Sequence, residues 1–170
     1  MKNPNFFRSH ARSVILSVVA SFASLVIISQ SAFAMGWNGI EPLKSRRADV
    51  ERILGKPLVD QPGEEGTLRF HVNGGVVTIS FVTARLVANK KLNPDYEGTV
   101  LEIVLQHTNS SDTPETLTIS GNSKFDREHA KGGEIYRNLK DGIIYTFVEG
   151  RLDTTRFTPA ATQWARARKG

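Results

Sequence analysis

The sequence predicts an α+β fold, a short helix packed on antiparallel sheet. Three observations carry this. One well-punctuated helical segment lies between Trp37 and Pro57. Downstream, apolar and polar residues alternate in runs paired across Gly-containing turns, the pattern of half-buried strands joined as hairpins. The chain has no cysteine, so packing alone must hold it together.

The first 34 residues read as a cleavable signal peptide. Lys2, Arg8 and Arg12 form a basic start, Ser13–Ser29 is almost wholly apolar or small, and Ala32-Phe33-Ala34 is an A-x-A site that cuts between Ala34 and Met35. The alternative is an uncleaved N-terminal membrane anchor, since about 17 apolar residues approach the lower limit for a span. No later stretch is long or apolar enough to cross a membrane. The expected organisation is a signal peptide over 1–34, one α+β domain over 35–159 and a basic C-terminal tail over 160–170. Localisation is then exported, periplasmic or extracellular. Without Lys2, Arg8 and Arg12 the net charge of +5 falls to +2, which is no footprint for nucleic acid. The local bias at Arg166, Arg168 and Lys169 beside Trp164 reads as a frayed, solvated tail, with contact to an anionic envelope surface as the sharper alternative.

Within the domain, Ser45 is expected to cap a helix whose stripe is Val50, Ile53 and Leu54, with Arg46 and Arg47 set against the dipole of its first turn. Gly55 and Pro57 stop it. A helix this short is unstable alone and must dock on the strands. Asp60–Gly66 is a polar loop. Thr67–Val72 and Val76–Val82 form a hairpin about Asn73-Gly74-Gly75. Thr83–Gly98 has no clear assignment: Ala84–Lys91 suits a short helix, and Asn93-Pro94-Asp95 ends it. Thr99–His107 is a strand with Leu101, Ile103, Leu105 and His107 on one face. Leu117–Ile119 suits a short edge segment, and Ser123–Ala130 a turn of helix capped by Ser123. Glu134–Leu139, Ile143–Val148 and Arg151–Thr158 form a meander with turns at Asp141-Gly142 and Glu149-Gly150. The Phe70–Val77 and Tyr136–Ile144 hairpins echo one another, which allows a tandem of two helix-plus-three-strand units.

The run Trp37-x-Gly39-Ile40-x-Pro42-Leu43-x-Ser45-x-Arg47-Ala48-Asp49-Val50-Glu51-x-x-Leu54-Gly55-x-Pro57 resembles a group of secreted bacterial proteins with no assigned activity. The resemblance runs more loosely through Gly98-Thr99-Val100, Lys124-Phe125, Tyr136-x-Asn138 and Gly142-Ile143-x-Tyr145 to Pro159. Members of that group often carry a cysteine in the region matching Thr83–Tyr96. This chain has none, which argues against a shared thiol or disulfide function. A looser likeness is to small envelope proteins of the BamE/SmpA type and to the β-lactamase-inhibitor-like fold, where a short helix ending in Leu-Gly-x-Pro precedes an antiparallel sheet. It implies architecture alone.

Catalytic motifs are absent from the sequence. There is no nucleophile elbow, P-loop, dinucleotide fingerprint or H-E-x-x-H, and no histidine pair has metal-ligand spacing. No cofactor, metal or catalytic residue is assigned. His71 belongs on the polar face of its strand, and His107 reads as a satisfied, partly buried histidine. Tyr96, Tyr136 and Tyr145 are the candidate interaction surface, with burial as the competing expectation. The expected function is a non-enzymatic protein-binding or scaffold module that meets another envelope or secreted protein through a sheet face or the 83–98 segment. The alternative is a small secreted hydrolase or ligand-binding enzyme built around His129 with Asp126 and Glu128. His129, Asp126 and another polar group converging in one pocket would favour it, and a flat, aromatic-rich exposed face with no pocket would favour the binding module.

Overall fold

The structure, a computed structural model, describes residues 36–61 and 66–168. The signal segment, the Ala34–Met35 site and Lys169 lie outside the described residues. The elements are α1 (Arg47–Leu54), β1 (Val59–Gln61), β2 (Thr67–Val72), β3 (Gly75–Phe81), α2 (Ala84–Lys90), a 3₁₀ turn (Pro94–Tyr96), β4 (Val100–His107), β5 (Asp126–Ala130), β6 (Gly133–Asn138), β7 (Ile143–Val148), β8 (Arg151–Phe157) and α3 (Ala161–Ala167). The eight strands make one antiparallel sheet in the order β1-β2-β3-β4-β8-β7-β6-β5. The α+β class is as the sequence predicts. The two halves of the sheet are four-strand meanders rather than three-strand units, joined where their last strands, β4 and β8, pair. Only the first has a helix ahead of it; the turn-rich 109–125 segment takes that place in the second.

Side chains alternate across the pleat, so one face of the sheet carries the core. Leu68, Phe70, Val77, Ile79, Ile103 and Phe157 meet Ile40 and Val50 there, and Ile53 and Leu54 of α1 pack alongside. Under the second meander, Ile119, Tyr136, Phe147 and Leu152 make another buried group beneath Leu117 and Phe125. Phe125 and Tyr145 touch both groups and tie them together. A third group, Leu43, Val82, Leu92 and Ala167 with Leu86, Val87, Tyr96, Leu101 and Trp164, joins α2 and α3 at one end of the sheet.

Several local expectations are corrected. Ser45 does not cap α1; its Oγ accepts from the Glu41 N–H at 3.0 Å, closing the preceding turn. The cap residue is Arg46, whose N–H is taken by the Asp49 carboxylate at 3.0 Å. The clash of Arg46 with the helix dipole is resolved sideways, because its guanidinium donates to the carbonyls of Asp95 (2.7 Å) and Glu97 (2.9 Å). Leu101 does not share a face with Ile103. Ser80 pairs with Glu102 but Phe81 pairs with Val100, so Leu101 is the extra residue of a β-bulge and turns into the α2–α3 group. Leu117–Ile119 lies in turns, not an edge strand, and Ser123 caps no helix. Asp126–Ala130 is an edge strand because it pairs residue for residue with β6. The C-terminal segment is not frayed: α3 buries Ala167, packs Trp164, and accepts from the Asn93 N–H at the Ala167 carbonyl (2.8 Å).

Candidate functional site

The face opposite the core presents two unbroken rows of side chains. Cross-strand register lines up Arg69, Thr78, Val104, Arg156, Ile144, Arg137 and Asp126 in one row, from β2 to β5. Beside it run His71, Val76, Gln106, Thr154, Thr146, Ile135 and Glu128. None of these fourteen residues is buried. The β-branched residues follow from strand propensity, and half-exposed they leave an aliphatic band. All the cations in the two rows are arginines. Arg156 pairs with Glu102 at 3.3 Å, Arg137 pairs with Glu128, and Arg69 reaches the Gln106 amide oxygen at 3.5 Å.

The three tyrosines do not form one exposed surface. Tyr136 and Tyr145 are cross-strand partners on the core face. Tyr136 is only 3% exposed and stands edge-on to Phe147, with centroids 5.6 Å apart. Tyr145 is partly covered, 6.0 Å from Phe125. Tyr96 lies apart from them in the α2–α3 group. The aromatics therefore serve packing, and the open face has none in its two rows. The 83–98 segment is likewise folded, as α2 and the 3₁₀ turn.

His129 does lie in a cleft, of about 500 Å³, between the 113–120 turns and the β5–β6 hairpin. Its neighbours are not those the sequence proposed. On a strand, Asp126 and Glu128 point away from the face of Arg127 and His129. Asp126 is thus turned from the cleft. Glu134 is the central group instead. It pairs with Arg127, accepts from Tyr136 Oη at 3.1 Å and lies 3.7 Å from His129 Nδ1. The Arg127 hydrogen bond, reinforced by Tyr136, holds its carboxyl below the usual glutamate range, while burial and that same acid push the Tyr136 phenol up. Glu115 is lowered mainly by its own N–H, with Thr113 and Ser120 hydroxyls adding to it. Glu134 is thus held by Arg127 and Tyr136 rather than by the acids of its neighbouring strand, Asp126 and Glu128. Glu134 was within reach of sequence reasoning: the Lys131-Gly132 turn places it opposite His129.

His107 sits as the sequence expects, half-buried, with Nε2 2.8 Å from Thr155 Oγ1. His71 is exposed on the open face. Among the described residues, no three His, Asp or Glu side chains converge as a metal ion would need, and no helix is long and apolar enough to cross a membrane.

No family model matches the chain, and no curated protein does. Among solved structures, the chain is similar to a DUF4309 family protein, YjgB, from Bacillus subtilis. The two share 17% identity with a TM-score of 0.48, over 74% of this chain and 87% of that one.

Proposed function

We propose that the chain is an exported, non-enzymatic module that binds another envelope or secreted protein through the open face of its sheet. The observation that carries this is the pair of side-chain rows running across seven strands with no buried member. At ~4.8 Å per strand they stretch about 30 Å, the scale of a patch giving about 800 Å² to a standard interface. A solvated face is ordinary for an antiparallel sheet. This one differs in composition: Val76, Val104, Ile135 and Ile144 sit half-exposed among arginines, without lysine, and arginine is the cation that interfaces enrich while lysine is depleted. Export rests on the Lys2–Ala34 sequence pattern.

The test compares the chain with a Val104→Glu/Ile144→Glu variant in capture from the envelope and secreted fractions of its host. Both substitutions point to solvent, so circular dichroism should stay unchanged. A saturable partner held by the parent and lost by the variant supports the reading. Equal capture by both, or none by the parent at any salt concentration, refutes it. Fractionation of tagged chain decides export separately.

A further inference from the structure

A second surface, independent of the open sheet face, lies where α2 and α3 meet. Leu86, Leu101, Pro159 and Trp164 line an apolar groove of about 360 Å³, with Lys90 on its wall. Lys90 follows Leu86 by one helical turn, which sets its ammonium beside the apolar residue. The Leu92–Arg168 backbone bridge brings the end of α3 against the end of α2, so Lys91 and Arg168 adjoin. Arg85, Lys90, Lys91, Arg166 and Arg168 are all exposed. Among the described residues none of the five forms an ion pair. Neither helix contains an acid. Glu102 lines the groove but is held by Arg156 at 3.3 Å.

We propose that this groove and its basic rim dock on an anionic lipid surface. Charge complementarity selects the occupant: uncompensated cations gathered round an apolar floor match a headgroup layer with acyl chains beneath it. Trp164 suits that depth, since an indole has an apolar body and a polar N–H. Lys90 and Arg166 meet lipid phosphates, and Leu86 and Trp164 enter the layer between them.

The experiment is flotation of the full chain with phosphatidylcholine vesicles, with and without phosphatidylglycerol. The N-terminal segment carries Lys2, Arg8 and Arg12 and adds its own anionic preference, so the patch is read from the change in the anionic-to-neutral ratio between the parent and a variant that keeps that segment. The parent should favour anionic vesicles, with the preference falling as salt rises. At roughly fivefold per cation, Lys90→Gln/Arg166→Gln should cut the ratio about 25-fold. In a Trp37→Phe background, shown folded by circular dichroism, emission from Trp164 should shift blue on anionic vesicles and be quenched by brominated lipid. Equal binding to both vesicles, a ratio unchanged by the double variant, or unshifted Trp164 emission overturns the proposal. A short DNA duplex bound as tightly as the anionic vesicles would mark a general polyanion site and overturn the lipid assignment.

Discussion

Phe147→Ala tests whether the two meanders share one core. Phe147 is fully buried, packed with Ile119, Tyr136 and Leu152 and edge-on to Tyr136. Emptying a sealed phenylalanine site costs about 3–5 kcal/mol, and the lost edge-to-face contact accounts for ~1 kcal/mol of that. About 4 kcal/mol is a large part of the roughly 5–15 kcal/mol that holds a domain folded. At an m-value near ~2 kcal/mol/M, the urea midpoint should fall by ~2 M. The neighbouring Val148, 44% exposed on the other face, is the control; Val148→Ala should stay within about 0.5 kcal/mol. Tryptophan emission follows the first core through Trp37 and the α2–α3 group through Trp164, while far-UV dichroism follows the whole sheet. Because Phe125 and Tyr145 bridge the cores, both signals should fall together in the variant. A loss below ~1.5 kcal/mol, or a sheet signal that melts before the tryptophans, would refute this packing argument.

Three further outcomes follow from the same geometry. Gly142 has φ +77° and a Cβ there would lie 2.2 Å from the Thr158 carbonyl oxygen, so Gly142→Ala should cost more than ~1 kcal/mol in thermal melts, against little at the open, also left-handed Gly150 beyond its own backbone strain. Arg46→Ala removes the two guanidinium bonds to Asp95 and Glu97, and should cost roughly 1 kcal/mol and speed amide exchange in the 95–99 turn. Burial depresses His107 below its ordinary 6.5, against the opposing pull of Asp112 and Asp153, so the folded chain binds fewer protons than the unfolded one. Stability should therefore fall as pH drops through about 6.5 and level off below the depressed folded value, and His107→Gln should flatten that part of the profile.

The second meander was legible because Tyr136–Phe157 alternates cleanly and its turns carry Asp-Gly and Glu-Gly. Two features were not, each for a physical reason. Asp126-Arg127-Glu128-His129-Ala130 has no apolar period at all, and its extended form depends on backbone pairing and on ion pairs to Glu134 and Arg137 across the hairpin. The bulge at Leu101 leaves local composition unchanged, yet it reverses the strand's inward side and sends one leucine to another core. In the C-terminal segment the signal was present, since Ala160, Trp164 and Ala167 recur at helical spacing, but it is short and shares its few residues with Arg166, Arg168 and Lys169, a composition that suits a solvated tail equally well. The open face was hidden for a different reason. Its rows are made of every other residue from seven strands, and only pairing register, which sequence does not state, brings them together. The tyrosines misled because aromatic residues fit a packed core and a contact surface equally well.

The seam between β4 and β8 has a consequence for synthesis. It consists of four cross-strand pairs, from Ile103–Phe157 to Gln106–Thr154, linking residues about fifty positions apart. The first meander is complete once His107 has emerged, but β4 then presents a bare hydrogen-bonding rim until β8, the last strand, is made. During that interval the half-built sheet is a template for strands from other chains. Long-range closure of this kind is also the slow part of folding. A chain stopped short of Arg151 would keep that rim permanently, so nascent fragments should be far more prone to clump than the finished protein.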